Sequence, residues 1–207
     1  MTAPKAVVFD IGNVLFHWAP EAFYDRVLGP AESARLFAEV PLLAMNERVD
    51  NGAPLDEEIA ALVRAHPDWH EAIATWQTRW IDLTGPVIDR SVRLLRALRR
   101  KGVPVYALSN FGRETFVISE SHYPFLEEFD HRVISAHHAA MKPGARIYEI
   151  LETETGQPPE ALLFTDDKAE NVAAAAARGW HIHHFDGPGG LASRLVAAGL
   201  LTEAEAA

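Results

Sequence analysis

The sequence predicts an α/β fold, a parallel sheet core flanked by helices with an all-helical segment inserted after the first strand. Two observations carry this. From Pro86 onward, segments with helical periodicity alternate with short apolar runs of strand length, as crossovers between parallel strands require. Between residues 17 and 85 that rhythm stops and only helix-like stripes appear. The expected division is a core of residues 1–16 and 86–207 and an inserted all-helical segment of residues 17–85.

Taken in order, AVVFD (6–10) reads as a buried strand that delivers a carboxylate, Asp10, into a loop. In the insert, Leu55, Ile59, Leu62 and Val63 share one helical stripe, and a further helical stretch runs from Trp69 to Trp80 beyond His66-Pro67, with nothing strand-like of useful length. Asp89 can cap a helix whose Val92, Leu95 and Leu98 lie together, and Gly102 stops it. VPVYALS (103–109) is the next strand, followed by helix from about Glu114 to Glu128 and the strand HRVIS (131–135). Helix over 145–153, strand ALLFT (161–165), helix over 171–178 ended by Gly179, strand WHIHHF (180–185) and helix over 191–198 complete the alternation.

Composition bounds the function. With 207 residues, 48% hydrophobic, the chain can bury a sizeable core. A net charge of −10 with 19 Lys+Arg argues against nucleic acid or an anionic membrane surface as partner, because both repel an acidic protein lacking a concentrated basic patch. The absence of cysteine excludes disulfide scaffolds, thiolate metal sites and Cys nucleophiles. The first apolar stretch is broken at Asp10 and no run of 18 uncharged apolar residues follows, so a soluble cytoplasmic protein, monomer or homodimer, is expected.

In an open parallel sheet the ligand crevice lies beyond the carboxyl ends of the strands. The residues predicted there are Asp10 after the first strand, Ser109 and Asn110 after the second, Lys142-Pro143 after the third, and Asp166 and Asp167 after the fourth, with Asn171 a turn later. Singly, each suits a turn or a helix cap; together, carboxylates, a hydroxyl and a lysine converge from four strand ends. This ordered set, FDIGN, LSN, the Lys142 of MKP and DDKAEN, resembles the four motifs of the haloacid dehalogenase superfamily over residues 6–16 and about 86–185. The FDxGNV form of the first motif is similar to that of the sugar-phosphate phosphatases, including glucose-1-phosphate phosphatases.

The resemblance implies a Rossmann-like core, a helical cap over 17–85 and a nucleophilic Asp10 that takes a phosphoryl group from a small phosphorylated metabolite. It also implies Mg²⁺ held by Asp10, the Gly12 carbonyl and Asp167, with Asp166 a further ligand or a supporting group and Asn171 orienting them. Ser109 and the Asn110 backbone would bind phosphoryl oxygens, and Lys142 would place its charge beside phosphate and Asp10. The family's phosphatases usually carry a second Asp at the position of Gly12, which transfers the leaving-group proton. His17 is a candidate substitute, His137 or His138 is expected near the rim, and Arg48 and Asp50 of NERVDNG are candidate specificity groups. Trp69, Trp76, Trp80 and Phe23 are expected to serve mainly as cap core, and the clustered His181, His183 and His184 to make hydrogen bonds at a strand end rather than a zinc site. Two alternatives stand beside this reading: a metal-free 2-haloacid dehalogenase, and a non-catalytic phosphosugar- or partner-binding module. Adjacent Asp166 and Asp167 near Asp10 favour the phosphatase, since three carboxylates repel one another unless a cation joins them.

Overall fold

The computed structural model describes residues 3–207. Its strands are β1 (Ala6–Phe9), β2 (Phe16–Trp18), β3 (Thr84–Val87), β4 (Val105–Ser109), β5 (His131–Ile134), β6 (Leu162–Asp166) and β7 (His181–His184). Five form one parallel sheet in the order β5-β4-β1-β6-β7, with Val8 opposite Tyr106 on one side and Phe164 on the other. The α/β parallel sheet expected from the sequence is therefore present, and β1 sits at its centre. The chain builds β4 and β5 on one side of β1, then β6 and β7 on the other, so the loop after β1 lies where the strand order reverses.

Alternation along these strands divides the core. Val7, Phe9, Val105, Ala107 and Leu163 face one side of the sheet, against Val92, Leu95 and Leu98 of the helix Asp89–Arg100 and Leu191 and Leu195 of the helix Pro188–Ala197. Ala6, Val8, Tyr106, Leu108, Leu162 and Phe164 face the other, against Ile147, Tyr148 and Leu151 of the helix Ala145–Thr155. Both faces are covered, which is why these strands read as continuous apolar runs.

Residues 20–83 hold the helices Pro20–Leu28, Pro30–Glu39, Leu42–Asp50, Leu55–Ala65, His70–Thr78 and Trp80–Leu83. The expectation of no useful strand in this region needs correction at its ends. β2 and β3 pair antiparallel, Phe16 opposite Val87 and Trp18 opposite Thr84, so the helices are joined to the sheet by a two-stranded ribbon. Such short strands, one containing Gly85-Pro86, carry no legible alternation. Two helix boundaries also differ. Pro124 lacks the N–H needed to continue the helix Arg113–His122, and residues 124–128 form a 3₁₀ turn instead. Asp89 is the first helical residue rather than the cap, which is Ile88.

The inserted helices share one hydrophobic cluster with the sheet, running from Val7 and Phe9 through Phe16 and Phe111 to Met45, Trp76 and Trp80. Aromatic contacts stitch the junction: Phe16 stacks on Tyr123 at 4.8 Å and Trp80 meets Phe111 edge-on at 5.8 Å. The Trp80 Nε1–H donates to Ser119 Oγ at 2.9 Å. Such contacts hold the inserted helices over the carboxyl end of the sheet.

Candidate active site

β1 ends in the buried Asp10, whose Oδ1 accepts hydrogen bonds from its neighbour's N–H, Ile11 N, and from Ser109 Oγ, both at 2.7 Å. Lys142 Nζ reaches the same oxygen at 2.9 Å. All of these contacts converge on Oδ1, and Oδ2 makes no hydrogen bond among the described residues. Burial pushes the Asp10 carboxyl up to about 6, against the opposing pull of the Lys142 charge; Asp166 adds to the rise, and the Ser109 hydroxyl resists it.

Lys142 is buried and bridges two carboxylates, with Asp166 Oδ2 at 2.7 Å as well as Asp10. Burial alone would favour its neutral amine, but the two carboxylates outweigh that and raise its pKa. The backbone around it is fixed from β4: Asn110 Nδ2 donates to the Lys142 carbonyl at 2.9 Å, and Lys142 N–H donates to Asn110 Oδ1 at 2.8 Å. The Asn110 side chain thus positions the lysine loop.

Asp166 and Asp167 follow one another but differ in surroundings. Asp166 is fully buried, and both its oxygens are engaged, by Lys142 Nζ, Lys168 N–H and Asn171 Nδ2. It is placed to hold Lys142 and Asn171. Asp167 is only partly buried and lines the cavity. Its Oδ2 accepts from Asn13 Nδ2 at 2.9 Å, and its carbonyl lies 3.0 Å from His184 Nε2, the strand-end bond expected of the histidine cluster.

One carboxylate oxygen each from Asp10, Asp166 and Asp167 lies within 4.8 Å of the others. Three carboxylates faced, among the described residues, by one buried ammonium, that of Lys142, leave an excess of negative charge that a hard divalent cation would neutralise, and oxygen donors suit Mg²⁺. Asp10 and Asp167 are the pair with capacity to spare; the Gly12 backbone lines the same cavity.

Asn13 carries a role that the sequence reading missed. It adopts the left-handed conformation at φ 57°, its Oδ1 accepts the Trp18 N–H at 2.9 Å, and its Nδ2 holds Asp167. A single side chain therefore ties the ribbon to the fourth motif. The signal was available, because Asn is among the few residues that enter this conformation readily.

The cavity has a volume of about 450 Å³. Apolar side chains including Phe16, Trp18, Trp80 and Phe111 form much of its wall, and the helix Leu42–Asp50 contributes Leu43, Asn46, Glu47 and Asp50, one helical face. Of the candidate specificity groups, Asp50 faces in, whereas Arg48 points away and pairs with Glu58 at 2.7 Å. Of the four candidate cap aromatics, Trp80 lines the wall; Phe23 and Trp76 are core, and Trp69 donates to Glu39.

His17 is not in the cavity. Alternation along β2 directs Phe16 and Trp18 inward and leaves His17 exposed on the opposite face, packed against Gly85. His137 and His138 do not line the cavity either. Gly12, by contrast, borders open space: an added Cβ would meet only Trp18 Cβ, at 3.9 Å.

Residues 4–179 match the haloacid dehalogenase-like hydrolase family. Over 184 residues the chain is 29% identical to the sesquiterpene phosphatase astK of Aspergillus oryzae, covering 86% of this chain and 88% of that one. Among solved structures, the family enzyme bt-2542 of Bacteroides thetaiotaomicron, in complex with magnesium and inorganic phosphate, superposes with TM-score 0.68 at 20% identity. That match covers 87% of this chain and 93% of the other. The L-2-haloacid dehalogenase RSc1362 superposes with TM-score 0.67 at 22% identity, covering 87% and 86%. The two structures support the fold alone; the family match spans most of the sequence, and the chain belongs to the haloacid dehalogenase-like hydrolases.

Proposed function

We propose that the chain is a Mg²⁺-dependent phosphatase that hydrolyses small phosphate monoesters through an aspartyl-phosphate on Asp10, with residues 17–85 as the cap that selects substrate. The observation that carries this reading is the cluster of Asp10, Asp166 and Asp167 with one lysine among them. Attack on carbon in a haloacid has no use for such an excess of negative charge; attack on a phosphate dianion needs a cation first. The likeness to a sesquiterpene phosphatase over most of both chains supports the same choice.

Mg²⁺, held by Asp10, Asp167 and the Gly12 carbonyl, would supply the charge neutralisation that lets two anions meet. The chain's own groups do the rest. Asp10 Oδ2 attacks phosphorus in line with the departing oxygen. Ser109 Oγ, whose single proton is held by Asp10 Oδ1 at 2.7 Å and turns to the substrate, and the Asn110 N–H donate to phosphoryl oxygens, and Lys142 neutralises charge beside them. Water then cleaves the acyl phosphate.

For the leaving group, the wall offers two surfaces. Asn46, Glu47 and Asp50 suit the hydroxyls of a sugar, and Trp18, Trp80 and Phe111 suit its apolar face or a terpenyl chain. The test is an assay of sugar phosphates, prenyl phosphates and p-nitrophenyl phosphate with Mg²⁺ and with chelator, beside halide release from 2-haloacids. Phosphate release that requires metal, and that Asp10→Asn abolishes without unfolding the protein, is the expected result. Metal-independent halide release with no phosphate release would establish the dehalogenase instead. Silence in both assays would leave a binding module.

A further inference from the structure

The loop after β1 lacks the second acid at Gly12, so the leaving oxygen needs a proton from elsewhere. We propose that Asp50, at the end of the inserted helix Leu42–Asp50, is that general acid and afterwards the base that activates water. The assignment rests on the phosphatase reading.

Asp50 is a carboxylate that lines the cavity with Asp10 and is not engaged in the cluster around Lys142. It is buried at 9% exposure, and its orientation is determined by its neighbours. Trp76 Nε1–H donates to Asn46 Oδ1 at 3.3 Å, which fixes the Asn46 amide so that Nδ2 donates to Asp50 Oδ2 at 2.9 Å. The Gly112 N–H, in the loop after β4, also donates to the carboxylate, and the Asp50 carbonyl accepts from Ser135 Oγ at 2.6 Å. The group is thus anchored to the core as firmly as to its own helix.

Its charge environment suits proton transfer near neutrality. Burial raises the carboxyl to about 7; the Gly112 N–H and the Lys168 charge oppose the rise, and Glu47 and Asp10 assist it. In the first step, the Asp10 Oδ2–P bond forms, the P–O bond to the leaving group breaks, and that oxygen takes the Asp50 proton to leave as an alcohol. In the second, the Asp50 carboxylate takes a proton from water, the resulting hydroxide attacks phosphorus, the P–O bond to Asp10 breaks, and phosphate departs. Asp50 is again protonated and Asp10 again a carboxylate.

Asp50→Asn tests this, because nitrophenolate leaves without a proton and an alkoxide does not. With Mg²⁺ present, rapid mixing of the variant with p-nitrophenyl phosphate should release nitrophenolate in a burst equal to the enzyme, followed by slow turnover as water activation fails. With an alkyl or sugar phosphate the first step itself should slow, by ~10²–10⁴-fold. The fall in kcat/KM for the alkyl ester as pH rises above about 7 in the wild type should vanish in the variant. Asp50→Ala, with circular dichroism as the folding check, should behave alike. Adding Gly12→Asp, for which there is room, should restore much of the lost rate. Equal slowing on both esters without a burst, an unchanged pH profile, or wild-type rates would overturn the assignment while leaving the phosphatase standing. A wild-type protein silent toward every phosphate ester would overturn both.

Discussion

Lys142, the buried cation between Asp10 and Asp166, sets what each residue of the site can do. Removing it would leave two buried carboxylates 2.7–2.9 Å from where their counter-charge stood, a loss of about 3–5 kcal/mol for a buried pair. Asp50 lacks such a partner, and this has a signature in stability. Burial raises the carboxyls of Asp10 and Asp50 from 3.8 to about 6 and about 7. Between those unfolded and folded values the native state binds more protons than the unfolded chain, so the stability these two groups contribute is fully present below 3.8 and is lost as pH rises through about 7. In chelator, the wild type should therefore be more stable to urea at about pH 5 than at about pH 8, by roughly 1.4 kcal/mol for each pH unit over which Asp50 alone stays protonated only when folded. Asp50→Asn should flatten that dependence, and identical slopes in the two proteins would show that Asp50 is not buried as described. The motif residues were legible in the sequence because four short signals fell at four strand ends. Asp50 was visible only as a candidate specificity group in NERVDNG, since nothing in a sequence shows that a helix 40 residues after β1 returns to face it.

At the scale of elements, the contact between the helix Leu42–Asp50 and the loop after β4 controls how the two halves of the cavity meet. Gly112 makes this contact possible. A Cβ there would lie 2.6 Å from Val49 Cγ1 and 2.7 Å from Thr115 Oγ1, closer than real atoms approach. Gly112→Ala should therefore push the helix away from the loop, at a cost of about 1–3 kcal/mol, and shift Asp50 from its Gly112 N–H. The expected result is a lower thermal midpoint together with a kcat loss on alkyl phosphates larger than on p-nitrophenyl phosphate; an unchanged midpoint would mean that the interface gives way freely. The elements themselves were largely legible: the central strands β1, β4 and β6 are buried on both faces and read as apolar runs, and the helices repeat at helical spacing. The β2–β3 ribbon was not, because pairing across the 65 residues between Trp18 and Thr84 leaves no local pattern in three or four residues. With it went the orientation of His17, which only the ribbon's alternation decides.

For the whole molecule, the topology concentrates like charge. A parallel sheet with β1 at its centre must direct the carboxyl ends of β1 and β6 to one place, and here those ends carry Asp10, Asp166 and Asp167. Folding without a cation therefore works against repulsion that Lys142 only partly offsets, and that the burial of Asp10 and Asp166 leaves poorly screened. Metal binding should stabilise the entire fold, since the unfolded chain scatters the three carboxylates. At a Mg²⁺ concentration a hundredfold above its dissociation constant the gain is about 2.7 kcal/mol, which for a chain of this size raises the thermal midpoint by about 5–10 °C. Titrating Mg²⁺ into chelator-stripped protein and following the midpoint measures this without any turnover. Asp167→Asn, which removes charge at the cavity wall while keeping a partner for Asn13, should raise the midpoint of the metal-free protein and abolish most of the response to Mg²⁺. A wild-type midpoint indifferent to the metal, or a variant that responds as the wild type does, would mean that the carboxylate cluster is not a cation site.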